Sequence, residues 1–145
     1  MTLHLIKLCV GIVSITHLRE RQAIRMDAEE AEGRPRELRH RTRQMPRRGD
    51  QLLDGGSLYW VIKGVVQVRQ PLADLRPVRG DDGVPRCDIV LEPTLIPTRP
   101  QPRRAFQGWR YLQPDDAPAD LKFSGTDAEK LPPEMRAELI ELGLL

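Results

Sequence analysis

The stretch from Ser57 to Gln70 constrains the fold most. It reads Ser-Leu-Tyr-Trp-Val-Ile-Lys-Gly-Val-Val-Gln-Val-Arg-Gln. Leu58, Trp60, Ile62, Val66 and Val68 occupy even positions, with Gly64 between them. The odd positions, from Tyr59 to Arg69, are mixed in character. Side chains on a strand alternate between faces, so this spacing turns the even set toward a core. The run is either one bent strand with a bulge at Gly64 or a hairpin turning at Lys63-Gly64. Pro71 then ends the pairing or marks an edge.

Other segments read around it. Leu3 to Val10 is a short apolar strand bounded by Gly11. Ser14 is an N-cap for a helix over 15–32, with Ile15, Leu18, Ile24 and Met26 as its apolar points and Gly33 and Pro35 as its stop. Glu37 to Gln44 alternates, with Leu38, His40, Thr42 and Gln44 on one side and Arg39, Arg41 and Arg43 on the other. Asp50 to Leu53 reads as a helical turn before the Asp54-Gly55-Gly56 loop. Leu75 to Val78 and Arg86 to Glu92 read as two further strands flanking the turn Gly80-Asp81-Asp82-Gly83. The four prolines between Pro93 and Pro102 predict an extended surface loop. Phe106 to Leu112 is a second aromatic cluster, with Trp109 and Tyr111 on one side of a strand. Thr126 to Glu129 is a capping box, and Pro132-Pro133 opens a helix with an apolar stripe of Met135, Leu139 and Leu142.

About six short strands with helices near both ends predict an α+β domain spanning 1–145. Its sheet is curled and mostly antiparallel, or closes into a small β-barrel, flanked by an N-terminal and a C-terminal helix. Residue content is 39% apolar and 30% charged, which implies neither a membrane-embedded nor a disordered chain. Leu8 to Ile15 is apolar, yet no basic segment precedes it and no small-residue cleavage site follows, so it reads as core strand and the expected location is the cytoplasm. Cys9 and Cys87 lie far apart within apolar stretches and read as reduced, buried thiols.

Three blocks carry a resemblance: Arg39-His-Arg-Thr-Arg, Leu53-Asp-Gly-Gly-Ser-Leu-Tyr-Trp-Val-Ile-Lys-Gly, and Phe106-Gln-Gly-Trp-Arg-Tyr-Leu. In them the chain resembles an uncharacterised alphaproteobacterial domain-of-unknown-function family (DUF1489), which brings no activity with it. The loop at Gly55-Gly56, the Tyr59 strand and the Gly64 break are also similar to the PUA-like superfamily, with its ASCH and EVE relatives. That resemblance implies a small barrel that binds RNA or a modified nucleobase between barrel and helices.

Net charge is +2 and identifies no partner, but the charge is polarised along the chain. Seven arginines fall between Arg34 and Arg48 against one acid, Glu37, while the C-terminal third is acidic. Arg39, Arg41 and Arg43, reinforced by Arg47 and Arg48, form a row suited to phosphates, because a guanidinium is planar and permanently charged. The competing reading is a solvated strand face, partly paired with the acidic C-terminal region. Trp60 lies on the core parity. Tyr59 lies on the mixed face and is the better surface ring for stacking a base. Trp109, Arg110 and Tyr111 make a stacking platform, or else Trp109 plugs the barrel.

The leading expectation is therefore a binding module for RNA or another nucleic acid. One alternative is a nucleotide or nucleobase pocket, with or without catalysis, lined by Tyr59, Lys63, Arg69, Trp109 and Arg110. Another is an assembly module that docks through Met135, Leu139 and Leu142. His4, His17 and His40 lack metal-ligand spacing and read as structural or exposed. Asp50 and Asp54 form a carboxylate pair without the rest of an active site. No phosphate loop, nucleophile elbow or cofactor motif is present in the sequence.

Overall fold

In the computed structural model, which describes residues 2–122 and 131–143, the Ser57–Gln70 stretch is a hairpin. Its strands are β3 (Ser57–Ile62) and the start of β4 (Val65–Arg79), joined by Lys63-Gly64. Both turn residues have positive φ, 51° and 76°, the geometry that matches the twist of paired strands in a two-residue loop. Before the hairpin come β1 (His4–Leu8), helix α1 (Ile15–Ala31), β2 (Leu38–Thr42) and the short helix α2 (Gly49–Leu52). After it come β5 (Pro85–Leu91), β6 (Ile96–Pro102), β7 (Trp109–Leu112), a 3-10 turn (Pro114–Asp116) and helix α3 (Pro133–Glu141). The expected capping box at Thr126–Glu129 lies outside the described residues.

The strands form one α+β sheet in the order β2-β5-β4-β3-β1-β7, with β6 pairing β4 off that path. Only β1 and β3 run parallel; the other pairings are antiparallel. The sheet alternative therefore holds, and the barrel is not closed. Trp109 and Tyr111 of β7 instead reach the segment after β2. The indole Nε1 donates to the Gln44 carbonyl at 2.8 Å, and the Tyr111 hydroxyl accepts from the Arg47 and Arg48 amides at 3.0 and 3.1 Å. Side chains, not a strand ladder, tie the two edges of the path together.

Two expectations about proline are corrected. Pro71 does not end the pairing, because β4 runs through it for fifteen residues and absorbs the separate strand expected at Leu75–Val78. Pro71 stands where the neighbour of β4 changes from β6, last paired at Arg69↔Ile96, to β5, first paired at Leu72↔Leu91. Its carbonyl still accepts from the Glu92 amide at 3.0 Å. The segment Ile96–Pro102 is a strand, not a loop. It pairs with β4 as an edge, the place in a sheet where a missing N–H is tolerated.

The principal core lies between α1 and one face of the sheet. Leu5, Leu58, Ile62, Val68 and Ile89 are all fully buried there, with Ile15 and Leu18 of α1 set against them. Ser14 caps α1, its Oγ accepting from the His17 amide at 3.0 Å. Gln22 and Gln70 exchange two amide hydrogen bonds of 2.9 Å, and Trp60 Nε1 donates to Gln70 Oε1 at 3.1 Å. These buried polar groups satisfy one another and fix the helix on the sheet. Ile24, expected in the core, is 63% exposed. Gly56 is obligatory: a Cβ there would lie 2.2 Å from the Leu52 carbonyl oxygen and 2.5 Å from that of Leu3.

The opposite face of the sheet is covered as well, by Ile6, Tyr59, Val61, Val66 and Leu112. Tyr59 is 4% exposed, so its expected surface position is corrected. The C-terminal stripe packs within its own chain: Met135 and Leu139 join Leu121 and Leu131, with Leu142 partly buried beside them. Glu138 also accepts a hydrogen bond from the Thr16 amide, which docks α3 on the start of α1.

Candidate nucleic-acid interface

The arginine row begins on β2 and is largely neutralised there. Arg39 Nη2 lies 2.6 Å from Glu29 of α1. Arg41 forks onto Asp88 of β5 at 2.8 and 3.2 Å, and Asp88 is buried. Around them Arg34 pairs with Glu29 and Glu32, Arg36 with Asp27 and Glu30, and Arg76 with Glu37 and Asp74. The partner acids thus come from α1 and the sheet, not from the acidic C-terminal region. Their electrostatic signature is reciprocal: hydrogen bonds from Arg34 and Arg76 hold the Glu29 and Glu37 carboxyls below the usual range. Arg43 lies beyond the end of β2 and is exposed.

A second group of arginines surrounds β7. Arg47 and Arg48 are held there by the Tyr111 hydroxyl. The Arg48 guanidinium sits 5.5 Å from the Tyr111 ring centroid and donates to Gln51 Oε1 at 3.0 and 2.6 Å. On the other side of the strand, Arg103, Arg104, Phe106 and Arg110 line a recess of about 530 Å³. Arg110 lies 5.4 Å from the Phe106 ring centroid and donates to the Gln107 and Trp109 carbonyls. Arg103 donates to Gln101 Oε1 at 3.0 Å, and its amide bonds the Gly64 carbonyl, which places it next to Lys63. None of these five arginines joins an ion pair among the described residues. The side-chain bonds of Arg48, Arg103 and Arg110 go to neutral amides, carbonyls and rings, so among the described residues no carboxylate cancels their charge. Among the described residues that line the recess, Asp116 is the one acid.

The expected sites are thus partly assembled. Arg47, Arg48, Trp109, Arg110 and Tyr111 meet at β7. Trp109 is half-buried, packs edge-on against Tyr111 at 4.9 Å and spends its N–H on Gln44, so it acts as a bolt between segments. Tyr59 and Arg69 line a different, shallow recess beside His4 and Asp120. There Arg69 forks onto Asp120 at 2.7 and 2.9 Å, and burial pushes the Tyr59 hydroxyl pKa up. Sequence reasoning missed Arg103 and Arg104. The signal was two adjacent arginines in the gap between the proline run that ends at Pro102 and the aromatic cluster that begins at Phe106.

Among the described residues, no three His, Cys, Asp or Glu side chains gather as metal ligands. No helix among them is long and apolar enough to cross a membrane. Fold and charge together define an α+β domain with a cationic ledge at one sheet edge. The chain belongs to the family described as a protein of unknown function (DUF1489), whose model matches residues 5–145. No curated protein and no solved structure matches it.

Proposed function

We propose that this protein is a nucleic-acid-binding module and that single-stranded RNA is its ligand class. One observation carries the reading: among the described residues, arginines are sorted into a paired set around β2 and a set without carboxylate partners around β7. A polyanion displaces condensed counterions only where cations are not already neutralised by the protein. The ledge formed by Arg47, Arg48, Arg103, Arg104 and Arg110, with Lys63 at its end, supplies phosphate contacts on both sides of β7. Phe106, half-buried under Arg110, supplies a ring face against which a splayed base stacks. The reading takes residues 1–145 as one domain working in the cytoplasm, where the free thiols of Cys9 and Cys87 are stable.

The test is fluorescence anisotropy with a short single-stranded RNA, the matching DNA strand and a duplex, over a salt series. Binding through about four phosphate contacts gives a slope of log K against log salt near −3, at about −0.7 per contact. Equal affinity for the duplex would remove the single-strand assignment. Absence of binding at about 50 mM salt would remove the function.

A further inference from the structure

A cleft between α1 and the sheet shares no lining residue with the recess at β7. Its volume is about 340 Å³, within the range of small-molecule sites. The floor is apolar, built from Leu18, Leu38, Trp60 and Leu91. Its polar lining is cationic: Lys7 from β1, Arg21 and Arg25 from α1, and Arg39 from β2. No carboxylate lines it among the described residues. Arg39 is compensated by Glu29 at 2.6 Å, and Arg21 donates to His17 Nε2 at 3.4 Å.

One polar atom in this cleft is left without a partner, and a lysine is half-buried beside it. His40 Nε2 is buried and makes no hydrogen bond, although its ring packs edge-on against Trp60 at 5.2 Å. Lys7 is half-buried, paired in register with Trp60 of β3 and Trp109 of β7. Both groups are held toward their neutral forms, chiefly by burial, and His40 also feels the charges of Lys7 and Arg25. The carboxylate that opposes this effect on His40 is Asp88, which is already engaged by Arg41. Buried polar atoms are almost always bonded, so an exception such as His40 Nε2 calls for a partner or a role. An anion entering here would compensate Lys7 and Arg25, and a polar atom on its body would reach His40.

We propose that the cleft binds a small organic phosphate carrying a flat apolar ring, of the size of a nucleoside monophosphate. Two arginines and a lysine converging on one opening suit a dianionic phosphate better than a single carboxylate, since the guanidinium fork matches phosphate oxygens. Inorganic phosphate alone would leave the floor of Leu18, Trp60 and Leu91 unfilled, so the ligand has an apolar body. This site is independent of the β7 ledge and does not rest on nucleic-acid binding.

The test uses the full chain in low salt, with calorimetry and thermal unfolding. The probes are the four common nucleoside monophosphates, inorganic phosphate, an uncharged nucleoside and benzoate. At least one monophosphate, at about ten times its Kd, should raise Tm by roughly 4 °C. Inorganic phosphate and the nucleoside should each bind at least tenfold more weakly. Lys7→Met keeps the apolar stem and should lower monophosphate affinity at least tenfold. Arg25→Ala, at an exposed helix position, should lower it about threefold and guards against a folding defect in the first variant. The Nε2 resonance of His40 should shift on binding. The proposal fails if no monophosphate binds more tightly than inorganic phosphate, if benzoate outcompetes the phosphates, or if both variants bind like the parent.

Discussion

At the β2–β5 end of the sheet, arginines meet carboxylates; around β7 they meet amides, carbonyls and aromatic rings. Both regions are rich in arginine and both are largely exposed. At the first, Arg34, Arg36, Arg39, Arg41, Arg76 and Arg86 each have an acidic partner within 3.2 Å. At the second, Arg48, Arg103 and Arg110 are positioned by Gln51, Gln101 and the carbonyls of Gln107 and Trp109. Neutral acceptors fix a guanidinium in place and leave its charge for a partner. Carboxylates fix it and cancel the charge. The difference teaches that an arginine count is no measure of a basic surface; what each guanidinium is bonded to decides it.

The largest expected effect breaks the comparison directly. Reversing the charge at Arg103, Arg104 and Arg110 to Glu should weaken RNA binding at least 100-fold, roughly 2.7 kcal/mol, and flatten the salt dependence. Replacing Arg34, Arg36 and Arg39 by Ala should leave affinity within about twofold. Titrating both triple variants against the same RNA checks this, and equal losses would erase the distinction between the two regions.

The next effect belongs to the paired region and is driven by pH. His40 on β2 is lowered from 6.5 to about 4, chiefly by burial and then by Lys7 and Arg25. Between those values the unfolded chain holds a proton that folded His40 refuses. Stability therefore falls as pH drops from about 6.5 toward 4, by roughly 3 kcal/mol in full. The pKa of His4 is lowered too and adds in the same direction. Denaturant unfolding at several pH values should show this slope, and His40→Phe should remove most of it. Below that window, acid also protonates Glu29 and Glu37, whose depressed pKa values stabilise the fold only while they stay ionised.

Much of the fold was legible because local signals agreed. Lys63-Gly64 between two apolar runs offered the β3–β4 hairpin beside a bent, bulged strand, and Ser14 marked the start of α1. Trp60 was legible as core from its parity. Tyr59 was not, since parity assigns an outer face only if one face of the strand is wet, and β3 is buried along its whole length. The β6 strand was hidden by Pro97, Pro100 and Pro102, which forbid a central strand yet suit an edge. At the site, the β7 aromatics stood out as a cluster, but their targets at Gln44, Arg47 and Arg48 lie more than sixty residues away. The silencing of Arg41 was equally illegible, because Asp88 lies 47 residues away and is joined only through the β2–β5 register.

Two smaller effects sharpen the comparison within the paired region itself. Arg41→Ala leaves the buried Asp88 carboxylate without its forked partner, and a buried charge stripped of its counter-ion is costly. Tm should fall by roughly 3 °C, with RNA affinity unchanged. Arg36→Ala is the smallest change. Its bonds to Asp27 and Glu30, at 2.5 and 3.1 Å, are short, but all three side chains are well exposed to water. Exposed pairs gain little Coulomb energy and give up side-chain freedom, so short distances there do not mean strength. Tm should move by less than about 1 °C, and by less still in about 0.5 M salt, where screening removes what remains. A shift as large as that of Arg41→Ala would mean that Asp27, Arg36 and Glu30 act as one network locking α1 to β2. The paired region would then be structural as a whole, rather than only where Asp88 is buried.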